Sequence, residues 1–125
     1  MAKILLIDDD EGMRHWTSLF LRRAGHEATT ASDGQSGIEL AASRRFDLII
    51  TDIIMPDKEG LETIMELKKA HPSLPIIAMS GGGHMCAEDI LDMAHSFGAI
   101  STLRKPFSGE KLLETIDAIL TGLPV

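Results

Sequence analysis

The chain has one cysteine, one tryptophan, no tyrosine and only 4% aromatic residues. A lone Cys86 cannot close an internal disulfide, which excludes the stapled frameworks of small secreted domains. Histidine and cysteine are absent in any ligand spacing: His15, His26, His71, His84 and His95 are scattered along the chain, so a zinc centre is not expected. Positive charge is in deficit, with 12 Lys and Arg against 19 Asp and Glu and a net charge of −7. Such a chain would neutralise neither nucleic acid nor an anionic membrane surface, so direct binding to either is not expected. No apolar run approaches the roughly 20 residues needed to cross a bilayer. Met-Ala-Lys leads straight into the first apolar run without a signal segment. The expectation is a cytoplasmic protein in which Cys86 is a reduced, small residue near a helix start.

What is present fits one ordinary globular unit. With 125 residues, 44% hydrophobic and 25% charged, the chain can bury a single core and has no room for a second. A single domain over 1–125 is expected, with no output domain.

Short apolar runs alternate with helical patterns. KILLI, 3–7, reads as a strand buried on both faces. From Glu11 to Ala24, Met13, Trp16, Leu19, Phe20 and Ala24 recur at helical spacing, so Trp16 is expected in the core, and Gly25 suits the end of that helix. EATTA, 27–31, reads as a second strand, followed by a helix capped by Asp33 with Ile38, Leu40 and Ala41 inward. FDLIIT, 46–51, is the third strand. After the Met55–Gly60 turn, Leu61, Ile64, Met65 and Leu67 mark a helix that stops before Pro72. LPIIAMS, 74–80, is the fourth strand, then come three glycines and a helix of about Cys86–Phe97. Residues 100–104 form the fifth strand, and Ser108 caps a last helix carrying Leu112, Leu113, Ile116, Ala118, Ile119 and Leu120. Five strands alternating with five helices predict an α/β fold with a parallel sheet covered on both faces, because each parallel step needs a right-handed crossover. In such sheets ligands bind beyond the carboxyl ends of the strands, where the strand order reverses.

Polar chemistry gathers at those ends. Asp8, Asp9 and Asp10 follow the first strand, Asp52 follows the third, Ser80 ends the fourth and Lys105 follows the fifth. Carboxylates meeting in one pocket repel each other, at a cost on the order of 4 kcal/mol for a pair about 4 Å apart at an effective dielectric near 20. A hard divalent cation offsets that cost, and Mg2+ suits one or two carboxylates with waters and a phosphoryl group better than Ca2+ does. With a cation bound, Asp52 can attack a phosphoryl group while Lys105 and the Ser80 hydroxyl meet its oxygens.

These residues resemble a response-regulator receiver domain of two-component signalling, of the single-domain chemotaxis type, over essentially the whole chain. The likeness rests on Asp8 and Asp9 with Arg14, on Asp52 in DIIMPDKEG, on Ser80 after IIAM, and on Lys105 with Pro106 and Phe107. It implies a flavodoxin-like doubly wound (βα)5 fold of strand order 2-1-3-4-5, an order the sequence does not itself reveal. It implies that Asp52 is the phosphoacceptor and that Mg2+ is held by Asp8, Asp9, Asp52 and the Ile54 carbonyl. Lys105 would contact the phosphoryl group and Ser80 would be the switch hydroxyl. The implied protein is a signalling module that catalyses its own phosphorylation and dephosphorylation. Its partners would be a sensor histidine kinase or phosphotransfer protein and a downstream protein docking on about 85–122, with a phosphorylation-dependent homodimer left open.

Several positions depart from the family pattern or carry other readings. Thr102 stands three before Lys105, where an aromatic is common, so an aromatic flip cannot be the readout and the loop 81–90 is expected to carry the signal, ordering on phosphorylation. Ile54 and Gly82 offer no side chain to orient an attacking water. Asp10 and Glu11 read as solvated residues at a helix N-terminus, Arg14 as surface or as a partner behind the site, and Lys58 and Glu59 as a solvated turn. A competing reading is a haloacid-dehalogenase-like phosphatase with Asp8 as nucleophile and Asp10 as acid/base. It leaves Asp52 without a task. A partner-binding relative that is never phosphorylated is the third reading.

Overall fold

The computed structural model describes residues 2–53, 60–80, 92 and 94–122. Five strands, β1 (Lys3–Ile7), β2 (Glu27–Ala31), β3 (Leu48–Asp52), β4 (Ile76–Ser80) and β5 (Ser101–Arg104), form one parallel sheet of order β2-β1-β3-β4-β5. The helices are α1 (Glu11–Arg23), α2 (Gly34–Ser43), α3 (Gly60–Ala70), α4 with helical residues 92 and 94–97, and α5 (Gly109–Leu120). The expected helix of about Cys86–Phe97 lies largely outside the described residues.

Strand alternation sorts the aliphatic side chains into two cores. Leu5, Ile7, Ile49, Ile76 and Ala78 pack with Ala41 of α2, Ile64 and Leu67 of α3 and Ala94. Their neighbours in sequence, Ile4, Leu6, Leu48, Ile50, Ile77 and Met79, pack with Leu21 of α1 and with Leu112 and Ile116 of α5. Because both faces are covered, the strands read as continuous apolar runs. Side-chain oxygens start three helices: Asp10 accepts from the Met13 N–H (3.1 Å), Asp33 from Ser36 (2.7 Å) and Ser108 from Lys111 (3.0 Å).

Three inward faces differ from expectation. On α1 the buried residues are Thr17, Ser18 and Leu21, whereas Trp16 and Leu19 are each 39% exposed. Small hydroxyl residues let the helix lie close to the sheet, and the indole, too large for that gap, is displaced to the rim. There Trp16 meets Phe20 and Phe107, with ring centroids 5.6 and 6.1 Å apart. Met65 of α3 and Leu120 of α5 are likewise exposed, with Thr63 and Thr115 taking inward places. His26 is half-buried and its Nδ1 accepts from the Ala2 N–H at 3.1 Å.

Candidate functional site

Strand order reverses between β1 and β3, each of which is the other's neighbour although β2 intervenes in sequence. The pairing of Ile7 with Thr51 brings the residues that follow, Asp8 and Asp52, level with one another across this gap. Next along the sheet, Asp52 pairs with Met79 and Ser80 with Arg104, so Ser80 and Lys105 reach the same edge. The Lys105 N–H donates to the Ser80 carbonyl at 2.7 Å, joining the ends of β4 and β5. The Lys105–Pro106 peptide bond is cis.

Within that edge Lys105 bridges two acids. Its Nζ lies 3.1 Å from Asp8 Oδ2 and 3.0 Å from Asp52 Oδ2. Asp8 is fully buried and Asp52 nearly so. Burial is the largest influence on the Lys105 ammonium and favours its neutral form, yet the hydrogen bond and charge of Asp52, then the charge and hydrogen bond of Asp8, together outweigh it. The Lys105 pKa is accordingly raised above 10.5. Asp9 is exposed, and one carboxylate oxygen each from Asp8, Asp9 and Asp52 lies within 4.8 Å of the others.

That donor set fits a small divalent cation. Two of the three carboxylates share one ammonium and Asp9 stands beside them, leaving a local charge of about two negative units, and the ligand atoms are all oxygen, as Mg2+ requires. Oxygens around an ion with bonds of about 2.1 Å stand up to about 4.2 Å apart, so a small closure of the triad suffices. The Ile54 carbonyl, expected as a further ligand, lies outside the described residues, as do Gly82, Lys58, Glu59, His84, Cys86 and the loop 81–90.

Ser80 is brought to the edge but not into the ion-pair network. Its Oγ is buried and bonds to no described group. Alternation gives the reason: Ser80 has the parity of Ile76 and Ala78, which face α2 and α3, whereas Asp8, Asp52 and Lys105 have the parity of Leu6, Ile50 and Leu103, which face α1 and α5. A buried hydroxyl without a partner costs about 1–3 kcal/mol and is poised to donate to an incoming oxygen.

The surrounding residues are fixed by capping and backbone bonds. The Asp10 N–H donates to Asp8 Oδ1 at 3.0 Å, and Asp10 uses its own carboxylate to cap α1. The exposed position and capping duty of Asp10 agree with the solvated reading and speak against an acid/base role. Arg14 Nη1 donates to the Asp8 carbonyl at 2.9 Å, which favours the second of its two expected places, behind the site, over a bare surface position. The Gly60 N–H bonds to the Ile53 carbonyl at 2.6 Å, and a Cβ at Gly60 would overlap the backbone of Asp52 and Ile53, so only glycine permits this approach to the end of β3. Thr102, half-buried in β5, confirms that no aromatic occupies that position. Sequence reasoning missed the aromatic rim, where Met13, Trp16, Pro106 and Phe107 line a groove of about 590 Å³ beside Asp10 and Lys105. The spacing of Trp16 and Phe20, one helical turn apart, was the available signal.

Residues 4–117 match the family model of the response regulator receiver domain. The chain belongs to that family. The receiver is 36% identical over 121 residues to the DNA-binding transcriptional regulator NtrC of Azospirillum brasilense, a match covering 97% of this chain and 24% of that protein. Among solved structures, the chemotaxis protein CheY4 of Vibrio cholerae superposes with a TM-score of 0.86 at 33% identity, covering 95% of this chain and 98% of that one. A CheY-like receiver domain protein from Methanospirillum hungatei gives a TM-score of 0.90 at 27% identity, covering 98% and 95%. The chain spans between about a quarter and about half of the length of the curated relatives it matches. Receivers are signalling modules of two-component systems that pair with histidine kinases. Among the described residues no helix is long and apolar enough to cross a membrane.

Proposed function

We propose that this receiver takes a phosphoryl group from the phosphohistidine of a sensor kinase or phosphotransfer protein onto Asp52, and that the modification alters a protein-binding surface. The observation that carries the reading is the Lys105 bridge between Asp8 and Asp52, at 3.1 and 3.0 Å, at the reversal of strand order. Asp8, Asp9 and Asp52 would hold Mg2+, joined by the Ile54 carbonyl. When bound, the ion supplies positive charge to the phosphoryl oxygens and lets carboxylates and phosphate share one pocket.

In the transfer, a carboxylate oxygen of Asp52 forms a bond to phosphorus as the phosphorus–nitrogen bond to the donor imidazole breaks. The electron pair of that bond leaves with the imidazole nitrogen, and the product on Asp52 is an acyl phosphate. Lys105, raised in pKa and charged throughout the neutral range, exchanges a carboxylate for a phosphoryl oxygen, and the Ser80 hydroxyl, bonded to no described group, donates to another. Self-catalysed loss of the phosphoryl group belongs to the same reading. So do a cytoplasmic location, a downstream protein docking on about 85–122 and, as an alternative output, a phosphorylation-dependent homodimer. The acidic balance of the chain disfavours direct contact with nucleic acid.

Incubation with Mg2+ and a small phosphodonor such as acetyl phosphate, followed by intact-mass measurement, tests the reading. The wild type should gain one phosphoryl group, and Asp52→Asn should gain none. Labelling that survives in Asp52→Asn and vanishes in Asp8→Asn would establish the phosphatase-like chemistry instead. No labelling of the wild type would establish an unphosphorylated binding module.

A further inference from the structure

All four polar groups of Asp8 are held: its N–H by the Ala31 carbonyl (3.1 Å), Oδ1 by the Asp10 N–H (3.0 Å), Oδ2 by Lys105 (3.1 Å) and its carbonyl by Arg14 Nη1 (2.9 Å). Asp9, by contrast, is exposed, and its side chain makes no hydrogen bond or ion pair with any described residue. The direction of the Asp9 carboxylate is therefore set through its backbone. The Asp8 carbonyl belongs to the planar peptide unit that joins Asp8 to Asp9. Whatever grips that oxygen fixes the plane from which Asp9 projects.

We propose that Arg14 is a positioning residue for the cation site, acting through the Asp8–Asp9 peptide to hold Asp9 where it can ligate. This rests on the reading of Asp8, Asp9 and Asp52 as the Mg2+ ligands. The structure supplies its own control on the same helix. Arg22, two turns after Arg14 on the same face of α1, makes the same kind of bond, Nη2 to the Ala28 carbonyl at 3.1 Å, at the far end of the sheet from the acids. Both arginines strap α1 to a backbone carbonyl, and only one of them holds a ligand-bearing turn. Electrostatics and positioning also predict opposite signs. A guanidinium close to a cation site repels the ion, so loss of its charge alone would tighten Mg2+ binding, whereas loss of positioning weakens it.

The test is calorimetric titration of Mg2+ alone into the wild type, Arg14→Met, Arg14→Lys and Arg22→Met, with folding of each followed by circular dichroism. Methionine keeps the apolar stem and removes the donors. Arg14→Met should weaken Mg2+ binding by about tenfold, the low end of the loss seen when a group behind a metal ligand is removed. Arg14→Lys, which keeps a donor, should recover most of that loss, and Arg22→Met should match the wild type. At saturating Mg2+ the phosphorylation rate of Arg14→Met should return to the wild-type value, because the defect lies in cation affinity alone. Unchanged or tighter Mg2+ binding by Arg14→Met, equal weakening by Arg22→Met, or a rate that stays low at saturation would each overturn the proposal. If the wild type shows no saturable binding, the cation reading itself fails and takes the proposal with it. Should Arg14→Met not fold, Arg14→Ala is compared with Arg22→Ala, and the same ordering is required.

Discussion

In the three central strands, β1, β3 and β4, the interior and the residues at the carboxyl end are almost equally buried and chemically opposite. Ile4–Ile7, Leu48–Ile50 and Ile76–Met79 are all fully buried, and so, almost without change in depth, are Asp8, Asp52 and Ser80 that follow them. In the interior, each aliphatic side chain removed from water contributes roughly 1.5–3 kcal/mol. At the edge, two carboxylates share one ammonium and a hydroxyl has no partner among the described residues, arrangements that cost stability. The contrast teaches where this receiver carries its buried polar groups: on top of an apolar floor stable enough to tolerate them. Substitutions on the two sides of that boundary should thus affect different quantities.

The largest effect is expected in the floor. Ile50→Ala, one turn of alternation below Asp52, should lower the unfolding free energy by about 2–5 kcal/mol, read by urea denaturation, with Mg2+ affinity of the folded protein unchanged. A loss well under 1 kcal/mol would break the comparison, since the floor would then not be what supports the edge. The mirror experiment is Asp8→Asn. Even a group behind a metal ligand is worth about 10–100-fold in affinity, so removal of this carboxylate should weaken Mg2+ binding by about 100-fold or more. Stability without Mg2+ should stay level or rise, because one of two crowded carboxylates is gone while an amide oxygen still accepts from Asp10. A clear drop in stability would show Asp8 to be structural instead.

The same boundary separates what the sequence made legible from what it hid. Strand positions were readable because continuous apolar runs admit few alternatives, and β1 and β2 fall on the expected residues. Residue types at the site were readable too, since Asp8, Asp52, Ser80 and Lys105 each stand where an apolar run stops. The faces of α1 were not. Met13, Trp16, Leu19 and Phe20 suggested the inward side, but a helix lying close to a sheet wants small groups beneath it, and Thr17 and Ser18 take those places. Nor was the pairing inside the site. That Lys105 bridges Asp8 and Asp52 while Ser80 stands apart follows from strand register and side-chain parity, which come only with the strand order.

Ser80→Ala sharpens the comparison with a smaller effect of unusual sign. Trimming a buried hydroxyl normally breaks a hydrogen bond, whereas here none is made within the described residues. The variant should be as stable as the wild type or more stable by up to about 1 kcal/mol, and phosphorylation from acetyl phosphate should slow. Destabilisation beyond about 1 kcal/mol would indicate that the hydroxyl has a bonded role in the resting fold.

The smallest effect is confined to alkaline pH. Lys105 has a folded-state pKa raised above its ordinary 10.5, burial being outweighed by Asp52 and Asp8. A raised pKa means that the folded state binds the proton more tightly than the unfolded chain does, so the ammonium contributes stability that is fully present below pH 10.5 and fades as pH climbs through the folded pKa. Denaturation midpoints of the wild type and Lys105→Gln, measured in parallel from neutral pH upward, isolate this group from the other lysines. The gap between the two proteins should hold constant through the neutral range and shift against the wild type only on the alkaline side. A gap that changes between neutral pH and pH 9, or that never changes, would mean that the edge does not hold its ammonium through the two aspartates.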